Sequence, residues 1–112
     1  MDAAQLGFNP EYSDAAPERE ELDALPGAAV LEFGATWCGY CLAARGDIQQ
    51  ALQTHSTLPH IKIYDGKGKR LGRTYKVKLW PTLIFLKDGE EVTRLVRPTS
   101  SSDIAKALES IL

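Results

Sequence analysis

Cysteine is scarce in this 112-residue chain: there are two, Cys38 and Cys41, with two residues between them. A small secreted domain stapled by disulfides spreads many cysteines along its length, so that class is excluded. A bond between these two closes a very short loop and restrains the unfolded chain little, which points to chemistry rather than stapling. Net charge is nearly absent too, thirteen Lys and Arg against fifteen Asp and Glu giving −2. Without a basic excess, nucleic acid is not expected as the main partner. No apolar run approaches the ~20 residues that span a bilayer, so no membrane association is expected. Met1 to Leu25 is acidic and lacks the apolar stretch of a signal peptide. The expectation is a soluble cytoplasmic protein, with export as the alternative if a signal peptide has been removed. Repeats and low-complexity tracts are missing as well. The rest is ordinary: 44% hydrophobic and 25% charged residues, in a length that suits one domain with its own core.

The chain divides at residue 26. Residues 1–26 read as an acidic extension punctuated by proline, with one short helix that has Pro17 in its first turn after Asp14 and is stopped by Pro26-Gly27. Residues 27–112 carry the periodic segments. Ala28 to Phe33 is a nearly continuous apolar run, as in a strand buried on both faces. From Cys41 to Thr54 the period becomes helical, with Leu42, Ile48, Ala51 and Leu52 able to share a face. Ile61 to Tyr64 and Thr82 to Leu86 are further strands. Asp88-Gly89 joins the latter to Val92–Val96 as a hairpin. A last helix is capped by Ser102, with Ile104, Leu108, Ile111 and Leu112 on one side. Between them, residues 65–78 are polar and basic, with a helical turn near Leu71 to Tyr75. The order predicts an α/β domain with a central mixed sheet and helices on its faces.

Cys38-Gly39-Tyr40-Cys41 falls between a strand and a helix. A helix N-terminus offers unpaired N–H groups and a partial positive charge, and both favour thiolate over thiol. The spacing lets the second sulfur reach the first, so attack by Cys38 on a disulfide gives a mixed disulfide that Cys41 can resolve. Cys38 lies nearer the exposed end and is the expected attacker; Cys41, inside the helix, is expected to be more buried. Zinc is the rival, because Cys38, Cys41, His55 and His60 have the spacing of a two-Cys, two-His site. Against it, Pro59 stands between the histidines, and the chain has elements enough for a core without metal.

Phe33 to Cys41, with Trp37 before and Gly39 after the first cysteine, resembles the active-site segment of thioredoxins. Trp80-Pro81-Thr82 resembles that family's cis-proline segment, and Lys87-Asp88-Gly89 the hairpin after it. The three occur in family-like order and spacing over residues 28–112. The resemblance implies a thioredoxin fold and a thiol–disulfide oxidoreductase that reduces protein disulfides without a cofactor. Cys38 would be the nucleophile and Cys41 the resolving thiol. Pro81, in cis, would present the Trp80 backbone to a bound peptide, and Trp37, Gly39 and Tyr40 would line the docking groove. Glu32 would be the buried carboxylate that serves proton transfer, with Lys62 beside it; burial means that it needs a cation or a proton, and a raised pKa would make it a useful base. The implied partners are disulfide-bearing proteins and an upstream thiol reductase, with the chain acting as a monomer. An adaptor that keeps the fold but turns over little is the third alternative.

Several positions depart from the family. Tyr40 replaces its proline, Gly34 stands where thioredoxins have tryptophan, Trp80 stands where they have a smaller apolar residue, and Gly46 replaces a helix-kinking proline. Arg97-Pro98 adds charge beside the groove in place of a Gly-containing turn. One aromatic is therefore expected to have moved across the site. Charge is also segregated: residues 60–80 hold seven Lys and Arg against Asp65, and residues 1–28 hold seven acids against Arg19. The basic loop can recruit an acidic partner or steer association; otherwise the acidic extension folds over it, or both are simply solvated.

Overall fold

Two of the apolar runs become the centre of a five-stranded sheet. A computed structural model describes residues 1–112. The elements are β1 (Ala4–Leu6), α1 (Arg19–Asp23), β2 (Ala28–Gly34), α2 (Gly39–Leu52), β3 (Pro59–Tyr64), α3 (Leu71–Thr74), β4 (Thr82–Lys87), β5 (Glu90–Val96) and α4 (Ser101–Glu109). The sheet order is β1-β3-β2-β4-β5. β2 and β3 are parallel, and the other neighbouring pairs are antiparallel. The expected mixed sheet is therefore present. No helix is long and apolar enough to cross a membrane.

The alternation of β2 sorts its side chains. Ala29, Leu31 and Phe33 face a core shared with Leu22, Leu71 and Tyr75, from the side of α1 and α3. Val30 faces a second core, shared with Ile48 and Leu52 of α2 and Ile104 and Leu108 of α4. By the same period of two, Glu32 and Gly34 look toward the α2 side. The parallel register sets Val30 beside His60 and Glu32 beside Lys62. Four polar or small residues are thus gathered on the α2 face of the two central strands, next to the start of α2.

The hairpin forms at Asp88-Gly89, with φ of 51° and 81°. Two positive φ values make the tight turn that matches strand twist. The Asp88 Oδ1 accepts the Gly27 N–H at 2.7 Å, and a side chain on Gly89 would collide with the Asp23 backbone.

Three local expectations are corrected. The last helix is capped by Ser100, whose Oγ accepts the Asp103 N–H at 3.0 Å, not by Ser102. The first helix starts at Arg19, with Glu18 and Glu21 closing a capping box, so Pro17 precedes the helix. And residues 1–14 hold more than a lead-in. β1 pairs with β3, and Ser13 forms a parallel bridge to Ile63. This segment runs along the outer edge of β3, and Asp14 meets Lys69 at 3.5 Å. The acidic stretch thus touches the basic loop, through an exposed pair that contributes little.

Candidate active site

Cys38 is the N-cap of α2. Its Sγ accepts the Cys41 N–H at 3.3 Å, one of the orphan donors of the first helical turn. An acceptor at this point is favoured when it is anionic. Both cysteines are free thiols and both are buried, Cys38 at 8% and Cys41 at 5% exposure. The difference is in the expected direction but small. What separates the sulfurs is their surroundings. Burial pushes the Cys41 thiol up to about 11, and its contact with Cys38 adds to this, against the Ala35 backbone and Tyr12, which favour its thiolate.

Beside Cys41 stands a buried polar chain. Glu32 is 1% exposed. Its Oε2 accepts the Tyr12 hydroxyl at 2.5 Å and its Oε1 meets His60 Nε2 at 2.9 Å. The other ring nitrogen, His60 Nδ1, accepts the Asn9 backbone N–H at 2.8 Å. A backbone amide can only donate, so Nε2 carries the ring proton and donates to Glu32. Burial alone would raise the Glu32 carboxyl. The His60 hydrogen bond, the Lys62 ammonium and the Tyr12 hydrogen bond outweigh it and hold the carboxyl below its ordinary range. Of the cation or proton that a buried Glu32 needs, the structure places the Lys62 ammonium nearby, together with two hydrogen-bond donors.

Lys62 is beside Glu32 in register but forms no ion pair with it. Its Nζ donates to the Pro10 carbonyl at 3.3 Å and lies 4.4 Å from the Tyr12 ring centre. Burial pulls this ammonium down while Glu32 holds it up. Pro10, Tyr12, Cys41, Arg45 and Lys62 line a cavity of about 220 Å³.

The remaining predicted residues surround the dithiol. Trp37 and Tyr40 are exposed, at 66% and 59%. Gly39 opens α2, and the space where its side chain would stand is empty. The Trp80–Pro81 peptide is cis. The Trp80 ring stands edge-on to Trp37 at 5.5 Å, and its Nε1 donates to Asp65 Oδ2 at 2.9 Å. Arg97 Nε donates to the Trp80 carbonyl at 2.8 Å while its guanidinium lies 3.7 Å over the Tyr40 ring.

The zinc alternative is not supported. No three metal-ligating side chains converge anywhere. His60 has both ring nitrogens engaged, and His55 follows the C-terminus of α2, about 20 Å along the helix from Cys38. Sequence reasoning missed three members of the site: Tyr12, Asn9 and the partnership of His60 with Glu32. Only the last had a signal. A carboxylate in a buried central strand needs a partner, and a parallel neighbour supplies one from the same face.

A dithiol at a helix start, with one sulfur capping the helix and the other set behind it, can exchange with a disulfide. The family model for thioredoxin matches residues 13–110. The chain belongs to the thioredoxin family. Thioredoxin 2 from Pseudomonas aeruginosa PAO1, solved in its reduced form, is 48% identical, with a TM-score of 0.81 over 92% of this chain and 95% of that one. Thioredoxin-2 of Saccharomyces cerevisiae is 33% identical over 92 residues, 82% of this chain and 83% of that protein. Thioredoxin-1 of Caenorhabditis elegans is 32% identical over 82 residues, 73% and 71% of the two. Like other thioredoxins, this chain is a thiol–disulfide oxidoreductase that works with its own cysteines and no cofactor. Thioredoxins act in general on disulfide substrates and are recharged by a thiol reductase.

Proposed function

We propose that the chain is a reductase of protein disulfides, with Cys38 as nucleophile and Cys41 as resolving thiol. The observation that carries this assignment is the contact of Cys38 Sγ with the Cys41 N–H at the start of α2. That amide aims a donor at the Cys38 sulfur, while burial pushes the Cys41 thiol up to about 11. Cys38 makes the attack, and Cys41 waits until a mixed disulfide forms. Tyr40 brings no positive charge beside Cys38, which favours a reducing couple over a strongly oxidising one.

Trp37, Gly39, Tyr40, Trp80 and Pro81 form the proposed docking surface. Two exposed aromatics and an open glycine leave room for an extended segment to approach Cys38. Glu32 and Lys62 are proposed to serve Cys41 from behind. All of these side chains come from one chain, which suits a monomer. The paucity of cysteine suits a reducing, cytoplasmic setting.

Reduction of insulin disulfides tests the assignment. Cys38→Ser is expected to abolish turnover. Cys41→Ser should still attack but stall as a mixed disulfide, visible as an added mass. Full turnover in Cys38→Ser would overturn the proposal. The potential of the couple tests its direction: a value at or below the glutathione poise, about −220 to −260 mV, fits a reductase. A value in that range without turnover would instead mark an adaptor.

A further inference from the structure

We propose that Tyr12 is a catalytic residue: its hydroxyl carries the Cys41 proton to the Glu32 carboxylate when the mixed disulfide is resolved, and His60 and Asn9 position that carboxylate. This rests on the reading of Cys41 as the resolving thiol.

The placement of Tyr12 is specific. Its hydroxyl and the Cys41 sulfur both border the space over Gly34. The point where a side-chain carbon on Gly34 would stand is 2.5 Å from the Tyr12 oxygen and 2.7 Å from Cys41 Sγ. The same hydroxyl donates to Glu32 Oε2. The second carboxylate oxygen is taken by His60. Both oxygens of Glu32 therefore carry a donor, and Tyr12 is the donor that borders the sulfur.

His60 cannot take that place. Its Nδ1 is closed by the Asn9 amide, and the Asn9 side chain donates to the carbonyls of Ala3 at 2.8 Å and His60 at 3.1 Å. The ring is clamped in one tautomer, with its Nε2–H directed at Glu32 Oε1. It holds the carboxylate so that Oε2 faces Tyr12.

Resolution then proceeds with Cys38 Sγ bonded to a substrate sulfur. The Cys41 proton passes to the Tyr12 oxygen as the Tyr12 proton passes to Glu32 Oε2. The Cys41 sulfur bonds to Cys38 Sγ, and the bond from Cys38 to the substrate sulfur breaks. The electron pair leaves on the substrate sulfur, which takes a proton from water. The dithiol is oxidised and the substrate disulfide reduced, two electrons being transferred in all. Glu32 returns its proton toward solvent by way of the cavity that Tyr12, Arg45 and Lys62 line.

The transfer is concerted with S–S bond formation, because Glu32, held below its ordinary range, is a weak acceptor for a thiol proton raised to about 11, and this fits the groups around Tyr12. It faces Glu32 from β2, His60 and Lys62 from β3, and Cys41 and Arg45 from α2, with Asp14 and Tyr64 on its outer side. Burial and the Glu32 charge push its phenol well above the ordinary range, so a standing tyrosinate is disfavoured and one proton must arrive as the other leaves. Capture of Cys38 in the mixed disulfide removes its contribution to the elevation of Cys41. Proton release becomes easier at the step that needs it.

An aromatic disulfide such as Ellman's reagent, supplied at one equivalent to the reduced full-length chain, separates the two steps. The first thiolate leaves on attack by Cys38 and the second on resolution by Cys41. Tyr12→Phe keeps the ring and its volume. It is expected to leave the first phase unchanged, to slow the second on the order of 10²-fold, and to flatten the pH profile of the second. Glu32→Gln should slow the same phase, and the double variant should be no slower than the slower single one, as for two parts of one relay. A second phase untouched by Tyr12→Phe would overturn the proposal. So would equal slowing of both phases, the mark of a merely loosened fold, or additive effects of the two substitutions. A wild-type chain that releases only the first thiolate would instead sink the role of Cys41.

Discussion

At the scale of single residues, Gly34 decides the geometry of the site. The resemblance places a tryptophan of other thioredoxins at this position, and here Tyr12, twenty-two residues nearer the start of the sequence, stands over the glycine. Trp80, the aromatic expected to have moved across the site, meets Trp37 edge-on at the other edge of the dithiol, and Tyr12 was not foreseen. The exchange works only without a side chain at residue 34. A methyl group there would overlap the Tyr12 hydroxyl, the Cys41 sulfur and the Tyr12 ring carbon that bears the oxygen. Gly34→Ala must therefore push Tyr12 off Glu32 or shift Cys41. Overpacking of this kind costs about 1–3 kcal/mol. Urea unfolding of the reduced protein should show that loss, and resolution of the mixed disulfide should slow with it. A variant as stable as the parent would mean that Tyr12 is free to move aside without cost.

At the scale of elements, the segment from β1 to Ser13 is what brings Tyr12 to the site. Its anchor is Asn9, 3% exposed, which binds Ala3 and His60 at once. Asn9→Ala removes one donor from each of two buried carbonyls, of which that of Ala3 keeps the Lys62 N–H at 3.0 Å, and each lost hydrogen bond costs about 0.5–1.5 kcal/mol. The urea midpoint should fall with an unchanged slope if the whole domain unfolds together; an unchanged midpoint would show that the segment is not anchored there. The other elements were legible from their residues, because each repeats a pattern. The apolar runs of β2 and β4, the Asp88-Gly89 turn and the four apolar positions of α4 each state a period or a punctuation. β1 states neither. Ala4-Gln5-Leu6 has three residues, two of them exposed, and is a strand only because the edge of β3 accepts it. His60 was obscured in the same way. Read alone it suits a loop or a metal; it is buried because the register of β3 sets it on the face of Glu32. Contacts made across more than fifty residues leave no local trace.

At the scale of the whole molecule, the site and the core are coupled through protons. Three groups resist ionisation in the folded state. Burial raises the Cys41 thiol from 9.0 to about 11, and it raises the phenols of Tyr12 and Tyr75 above 10.0. Above pH 9 the unfolded chain releases the Cys41 proton while the folded protein retains it. Stability falls with every such difference, since the folded state then binds the extra proton. The loss from Cys41 runs from pH 9 to about 11, and the two tyrosines add to it from pH 10 upward. Lys62 acts the other way. Burial pulls its ammonium below 10.5, so it adds stability as pH climbs toward that value. Its contribution is the same in both redox states. Oxidation to the Cys38–Cys41 disulfide removes the Cys41 thiol and with it one of the three. The melting temperature of the reduced protein should therefore fall more steeply between pH 9 and 11 than that of the oxidised protein. Tyr12→Phe should flatten the decline above pH 10 in both redox states. Parallel curves for the two redox states would mean that Cys41 gives up its proton as readily in the folded protein as in the unfolded chain. Its protection from solvent, on which its role as the waiting thiol depends, would then be lost.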